Sequence, residues 1–243
     1  MSDLSFLKLV ESSHWVRVRE HETKIGQAIH SLALEGSFEQ SLASAWEGGQ
    51  RVAIVGIPES IGIKANLGRP GAEGGWQAFL QNFLNLQKTG LVSTHELLLV
   101  GSIECSDLMQ QAESLSIEDE QELAELRRLT SMIDARVSRV LAPIFAQGFD
   151  VVVIGGGHNN AYPLLKSLHQ MTDQTVGAVN LDPHADFRAT EGRHSGNGFS
   201  YAYVEGILEY YHVVGLHPGK NSASSLRNLS DAGMRYHSIH RLF

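Results

Sequence analysis

Val151-Val152-Val153-Ile154-Gly155-Gly156-Gly157-His158 and, further along, Asn180-Leu181-Asp182-Pro183-His184-Ala185-Asp186 decide how this sequence folds. Each ends a short apolar run in turn-forming or polar residues, the pattern of a strand in a parallel sheet. A glycine turn closing such a strand sends the next side chain out from the carboxyl end, where open α/β sheets place their chemistry. Asp-x-His-x-Asp leaving the second strand points alternate side chains to one side. Asp182, His184 and Asp186 can therefore converge on a cation, with His158 arriving from a neighbouring strand. The donors are nitrogen and oxygen without sulfur. Such a set favours Mn2+, leaves Zn2+, Co2+ and Fe2+ open, and is unlike the Cys-rich cages of structural zinc. Singly, each residue has a plainer reading: His158 starts a helix, Asp182 caps one, His184 bonds to backbone and Asp186 is a solvated acid. Their joint occurrence at two strand ends points to a metal site.

Outward from these runs, strands and helices alternate. A buried strand at 51–57 leads into a polar loop through Lys64, Asn66, Arg69, Pro70 and Gly71, then a helix around 76–86. A strand at about 96–101 precedes a long helix from 117 to about 147, whose apolar stripe runs through Leu123, Leu126, Leu129, Ile133, Val137 and Val140. After the strand at 150–154 come a helix at 161–170, a strand at 176–181, a glycine-rich loop with a short helix, a strand at 212–216, a helix near 224–231 and a weak strand near 235–239. This alternation predicts a parallel sheet covered on both faces in a single domain, 1–243. Residues 1–48 read as a mainly helical extension, with Ile25, Ala28, Ile29 and Leu32 on one face of 24–34.

Composition narrows the function. With 42% hydrophobic and 19% charged residues the chain is ordinary globular protein. A formal net charge of -8 gives no electrostatic reason to expect nucleic acid or an anionic membrane as partner, so a small-molecule substrate is expected. One cysteine, Cys105, cannot form an internal disulfide, and Met1-Ser2-Asp3 lacks the start of a signal peptide, which predicts a reduced, cytoplasmic protein. Cys105 has no recognisable basic partner, and His212, His217, His237 and His240 are placed too irregularly to read as ligands.

Gly156-Gly157-His158-Asn159, Asp182-Pro183-His184-Ala185-Asp186 and Ser195-Gly196-Asn197 resemble successive signatures of the ureohydrolases, the arginase, agmatinase and formimidoylglutamase group. Gly68-Arg69-Pro70-Gly71-Ala72 is similar to a further segment of that family, and the likeness runs from about residue 51 to the end. The resemblance implies a three-layer α-β-α fold with a mainly parallel sheet and a binuclear manganese hydrolase. Two Mn2+ per subunit would hold a hydroxide that attacks a guanidinium or formimidoyl carbon. By position, His158 and Asp186 would hold one ion, His184 the other, and Asp182 would bridge them. The family also commonly forms symmetric homo-oligomers.

Two departures shape the expectation. Arginases and agmatinases continue Ser-Gly-Asn to a histidine that assists proton transfer, where this chain has Phe199. With the Asp186-Phe187-Arg188 continuation and the N-terminal extension, this looks more like formimidoylglutamase, which converts N-formimidoyl-L-glutamate and water to L-glutamate and formamide. Arg188, Arg193, His194 and Asn197 then lie where a loop could meet the substrate's carboxylates, which guanidinium groups bind bidentately. The family also carries a later Asp-x-Asp ligand pair, and none occurs after Asp186. The expected fold therefore lacks the family's C-terminal strands and leaves unpaired strand edges flanking its core. Three rival readings differ in kind. A nucleotide-binding crossover would need a third glycine where Asn160 stands, and a related metal deacetylase would need a His-His dyad that is missing. A catalytically inactive relative acting as a binding subunit is the non-enzyme alternative.

Overall fold

The computed structural model describes residues 4–241; the first three residues of the expected N-terminal extension and the last two of the chain lie outside the described residues. In chain order the elements are β1 (Leu7–Leu9), β2 (His30–Ser31), α1 (Phe38–Glu47), β3 (Val52–Gly56), α2 (Ile61–Ala65), α3 (Gly75–Phe83), β4 (Leu97–Ile103) and α4 (Ser106–Glu113). They continue with α5 (Glu120–Ala146), β5 (Asp150–Ile154), α6 (Ala161–Thr172), β6 (Val176–Leu181), α7 (Gly198–Val204), β7 (Leu208–Leu216), α8 (Ala223–Asp231) and β8 (Arg235–Ser238). The chain comprises two compact units. The first comprises residues through Ser60, Pro70–Gln111 and Arg136–Gly156; the second comprises Ile61–Arg69, Ala112–Ala135 and Gly157 onward.

The first unit holds a five-stranded sheet of order β1-β4-β3-β5, with β2 also on β4. Only β1 runs antiparallel. Ile54 and Leu99 face a cluster completed by Trp76, Leu80 and Leu84 of the α3 region and by Ile25 and Ile29. Each such side chain contributes about 1.5–3 kcal/mol on burial. The amphipathic helix expected over 24–34 does not form. Ile25 and Gly26 instead donate their N–H groups to the carbonyls of Leu86 and Leu84, and a Cβ on Gly26 would lie 2.4 Å from Val16 Cγ2. The apolar spacing there reflects burial of a 3-10 turn and a short strand, because tertiary hydrogen bonds outcompete the local ones. In the rest of the extension α1 is helical and capped: Ser37 Oγ accepts from the Gln40 N–H, and Gln40 Oε1 accepts from that of Ser37.

The second unit holds the parallel sheet β6-β7-β8. Val176, Tyr211, Val213 and Leu216 pack with Tyr162, Phe199, Ala202 and Leu229 from α6, α7 and α8. On the other face, Val179 is 76% exposed, Leu181 82% and Tyr210 69%. Among the described residues β5 pairs only with β3, and β6 only with β7. This corrects one expectation: β5 and β6 are not hydrogen-bonded neighbours but belong to different sheets.

Candidate metal centre

Gly155 and Gly156 end β5 with φ of 86° and 79°, a left-handed pair that turns the chain sharply where side chains would be strained. Beyond them His158 opens a 3-10 turn that runs into α6 within the second unit. It is this turn and helix, rather than strand pairing, that carries the imidazole to the end of β6. There His158 Nδ1 lies 2.5 Å from Asp186 Oδ2 and 3.5 Å from Asp182 Oδ2. One donor atom from each of His158, Asp182 and Asp186 falls within 4.8 Å of the others.

His184 stands outside that trio. Its backbone N–H reaches Asp182 Oδ1 at 2.6 Å, and its Nδ1 lies 3.0 Å from the same oxygen, so the exposed ring folds back onto its own loop. Asp182 therefore meets His158 with one oxygen and His184 with the other.

The electrostatics of the trio favour a cation. Burial alone would lower the His158 pKa, but hydrogen bonds to Asp182 and Asp186 outweigh it and push it up to about 9. Burial raises Asp182, yet its hydrogen bonds with His158 and the His184 backbone hold it below the usual carboxylate range. The imidazolium thus provides the positive charge that two converging carboxylates call for. One nitrogen and two carboxylates, all partly open to solvent, fit a hard or borderline divalent ion with room for further ligands.

The expected substrate residues separate. Arg193 is 4% exposed and every nitrogen of its guanidinium donates a hydrogen bond: Nε to Asp134 Oδ2 at 2.8 Å, Nη1 to Asn197 Oδ1 at 2.7 Å, and Nη2 to the Asn159 carbonyl at 2.9 Å. Tyr162 and Tyr201 cover the guanidinium at 4.6 and 4.9 Å. Asn197, fully buried, also accepts from the His194 N–H and donates to the carbonyls of Ala189 and Gly192. His194, equally buried, accepts the Gly196 N–H at Nδ1 and turns Nε2 toward Glu191 Oε1 at 3.4 Å. Burial and the nearby Arg127 guanidinium lower its pKa to about 4. These three brace a loop. Arg188 alone has an exposed side chain, and it lines a cavity of about 380 Å³ with Phe187, Thr190, Tyr203 and Asn228.

Several partners escaped the sequence reading. Asp134 sits on the buried stripe of α5, between Thr130 and Val137 in helical spacing, and an acid in that position was a readable signal for a buried cation. Phe199 stacks on Tyr211 at 4.2 Å and sets its ring edge-on to His158 at 5.4 Å. No local pattern announces that contact.

The sequence pattern of the arginase family matches residues 50–242. The chain belongs to that family. Among curated arginase-family proteins, the formimidoylglutamase of Hahella chejuensis is 27% identical over 195 residues, 76% of this chain and 53% of that protein. That of Staphylococcus aureus is 26% identical over 174 residues, 71% of this chain and 49% of its own. The chain thus spans about half the length of the curated relatives it matches. Two solved structures have the same fold. The formimidoylglutamase of Bacillus subtilis gives a TM-score of 0.67 at 17% identity over 92% of this chain and 62% of that one. The formiminoglutamase of Trypanosoma cruzi, solved with Mn2+, gives 0.60 at 20% identity over 91% and 66%. The fold is therefore arginase-like, with the mainly parallel α/β arrangement expected from the sequence.

Proposed function

We propose that His158, Asp182 and Asp186 bind Mn2+, and that this site serves hydrolysis of a C–N bond in a linear amidine, N-formimidoyl-L-glutamate to L-glutamate and formamide. The observation that carries the reading is the convergence of one imidazole and two carboxylates at the end of β6. With two ions bound, Asp182 would be shared and His184 would serve the second, an assignment supported by the two oxygens of Asp182 meeting different histidines. Bound divalent cations supply a water of lowered pKa and positive charge for the tetrahedral carbon, which a poorly electrophilic amidine needs.

The chain's own residues favour the formimidoyl substrate. Phe199 cannot transfer a proton where arginases use histidine, and its buried ring supports His158 instead. Arg188, exposed beside a cavity, is the residue proposed to bind a substrate carboxylate. Relatives named formimidoylglutamase agree with this choice. A non-catalytic binding subunit is the competing reading, favoured by His184 standing apart from the trio.

The test measures Mn2+ bound per chain and compares formimidoylglutamate, arginine, agmatine and guanidinobutyrate as substrates. Formamide release exceeding any urea release, with Arg188→Ala raising KM, supports the proposal. Stoichiometric Mn2+ without turnover supports the binding subunit, and no uptake sinks both the metal assignment and the chemistry built on it.

A further inference from the structure

Asp186 has a φ of 44°, a left-handed backbone that non-glycine residues seldom adopt, and this is the conformation in which its carboxylate meets His158. One residue earlier the backbone is held on both sides. Ala185 is fully buried, and both peptide groups that flank its Cα are tied to side chains from elsewhere in the second unit. Its N–H donates to Asn221 Oδ1 at 2.8 Å, and its carbonyl accepts from the Tyr211 hydroxyl at 2.9 Å. Each tether is itself anchored. Asn180 Nδ2 donates to the Tyr211 oxygen at 2.9 Å, while Asn221 Nδ2 donates to the carbonyls of Pro183 and His217, both at 2.9 Å. The ring of Tyr211 is held between Phe199 and Phe187.

The carbonyl of Ala185 and the nitrogen of Asp186 belong to one peptide plane, and φ of Asp186 is the rotation that starts from that plane. Fixing the carbonyl fixes the reference against which the carboxylate is aimed. We infer that Tyr211 and Asn221 are positioning residues that clamp the Ala185 backbone and thereby hold the Asp186 carboxylate in the metal-binding pose. The inference rests on the metal assignment proposed above for its functional meaning, though not for its geometry. Both lie far from Ala185 along the chain, Tyr211 in the middle of β7 and Asn221 in the turn before α8.

Tyr211→Phe keeps the stacked ring and removes only the hydroxyl, and Asn221→Ala removes the other tether. Mn2+ affinity is measured by electron paramagnetic resonance on the full chain, alongside Asp186→Ala as the ligand-loss control. Val176→Ala, at the opposite end of β6 in the same core, controls for general loss of stability. The expected result is an Mn2+ dissociation constant raised about tenfold or more in both clamp variants, the range seen when groups supporting metal ligands are lost. Val176→Ala should melt earlier yet bind Mn2+ as tightly as the wild type. Crystal structures of the clamp variants should show Asp186 at negative φ with its carboxylate withdrawn from His158. Wild-type affinity in both variants, with Asp186 still left-handed, overturns the inference. Should the wild type take up no Mn2+, the metal reading fails separately, and the crystal structures alone decide the clamp: a displaced Asp186 supports it and an unmoved one refutes it.

Discussion

His158, Asp182 and Asp186 keep their donor atoms close together and partly open to solvent, whereas Arg193, His194 and Asn197, in the following loop, are enclosed by protein. Both sets are polar, both come from the second unit, and the sequence marks both as candidates for chemistry. What separates them is where their hydrogen-bonding capacity goes. The first set has two carboxylates sharing one imidazole, an excess of negative charge that a cation relieves. In the second, Arg193 is neutralised by Asp134 and Asn197 uses both ends of its amide on its own loop. A buried polar network with its bonds made rigidifies the loop that carries it.

The sharpest way to break this contrast is Arg193→Met. It leaves the Asp134 carboxylate inside without its guanidinium, and the expected loss is about 3–5 kcal/mol by urea denaturation. A loss near zero would mean that Arg193 is not a structural brace. On the other side of the comparison, Asp182→Ala and Asp186→Ala should remove Mn2+ binding, weakening it beyond the ~10–100-fold typical of supporting residues, while the proteins stay folded. If both variants stay folded and bind Mn2+ as tightly as the wild type, the trio is not the metal site.

Acid titration refines the difference further. His194 is held neutral, with its pKa lowered to about 4 from an ordinary 6.5, so the unfolded chain binds its proton first. Stability from this group is intact above pH 6.5 and falls as pH drops toward 4, at up to ~1.4 kcal/mol per pH unit. His194→Gln should therefore flatten the acid limb of the melting-temperature profile across that window. Parallel profiles for variant and wild type would show that the buried imidazole does not titrate this way. The smallest effect is expected for Glu191→Gln, whose half-exposed pair with Arg127 at 3.2 Å is worth less than about 1 kcal/mol. A larger loss in thermal denaturation would extend the brace outward to the loop surface.

The sequence carried much of this organisation. Apolar runs placed β5 and β6 with their observed bounds, because a strand's burial pattern is local. The glycine turn and Asp-x-His-x-Asp likewise placed the trio at strand ends. What was illegible depends on distant partners. Nothing near β5 or β6 shows that they belong to different sheets, since pairing is decided by whichever strands meet. Nothing around Arg193 names Asp134, which lies 59 residues earlier. The 24–34 segment misled in the opposite sense: its helical spacing is real, but backbone bonds to Leu84 and Leu86 set its conformation. His184 shows the remaining limit. Alternation along an ideal strand would place it beside Asp182 and Asp186, yet after Leu181 the chain is no longer strand, and the ring turns back to Asp182.

Anomalous diffraction from crystals soaked in Mn2+ tests the central claim most directly. The account predicts a manganese peak at the end of β6, about 2–2.5 Å from the carboxylates of Asp182 and Asp186 and from the His158 imidazole. A peak elsewhere, or none at millimolar Mn2+ while the three side chains remain as described, would contradict it.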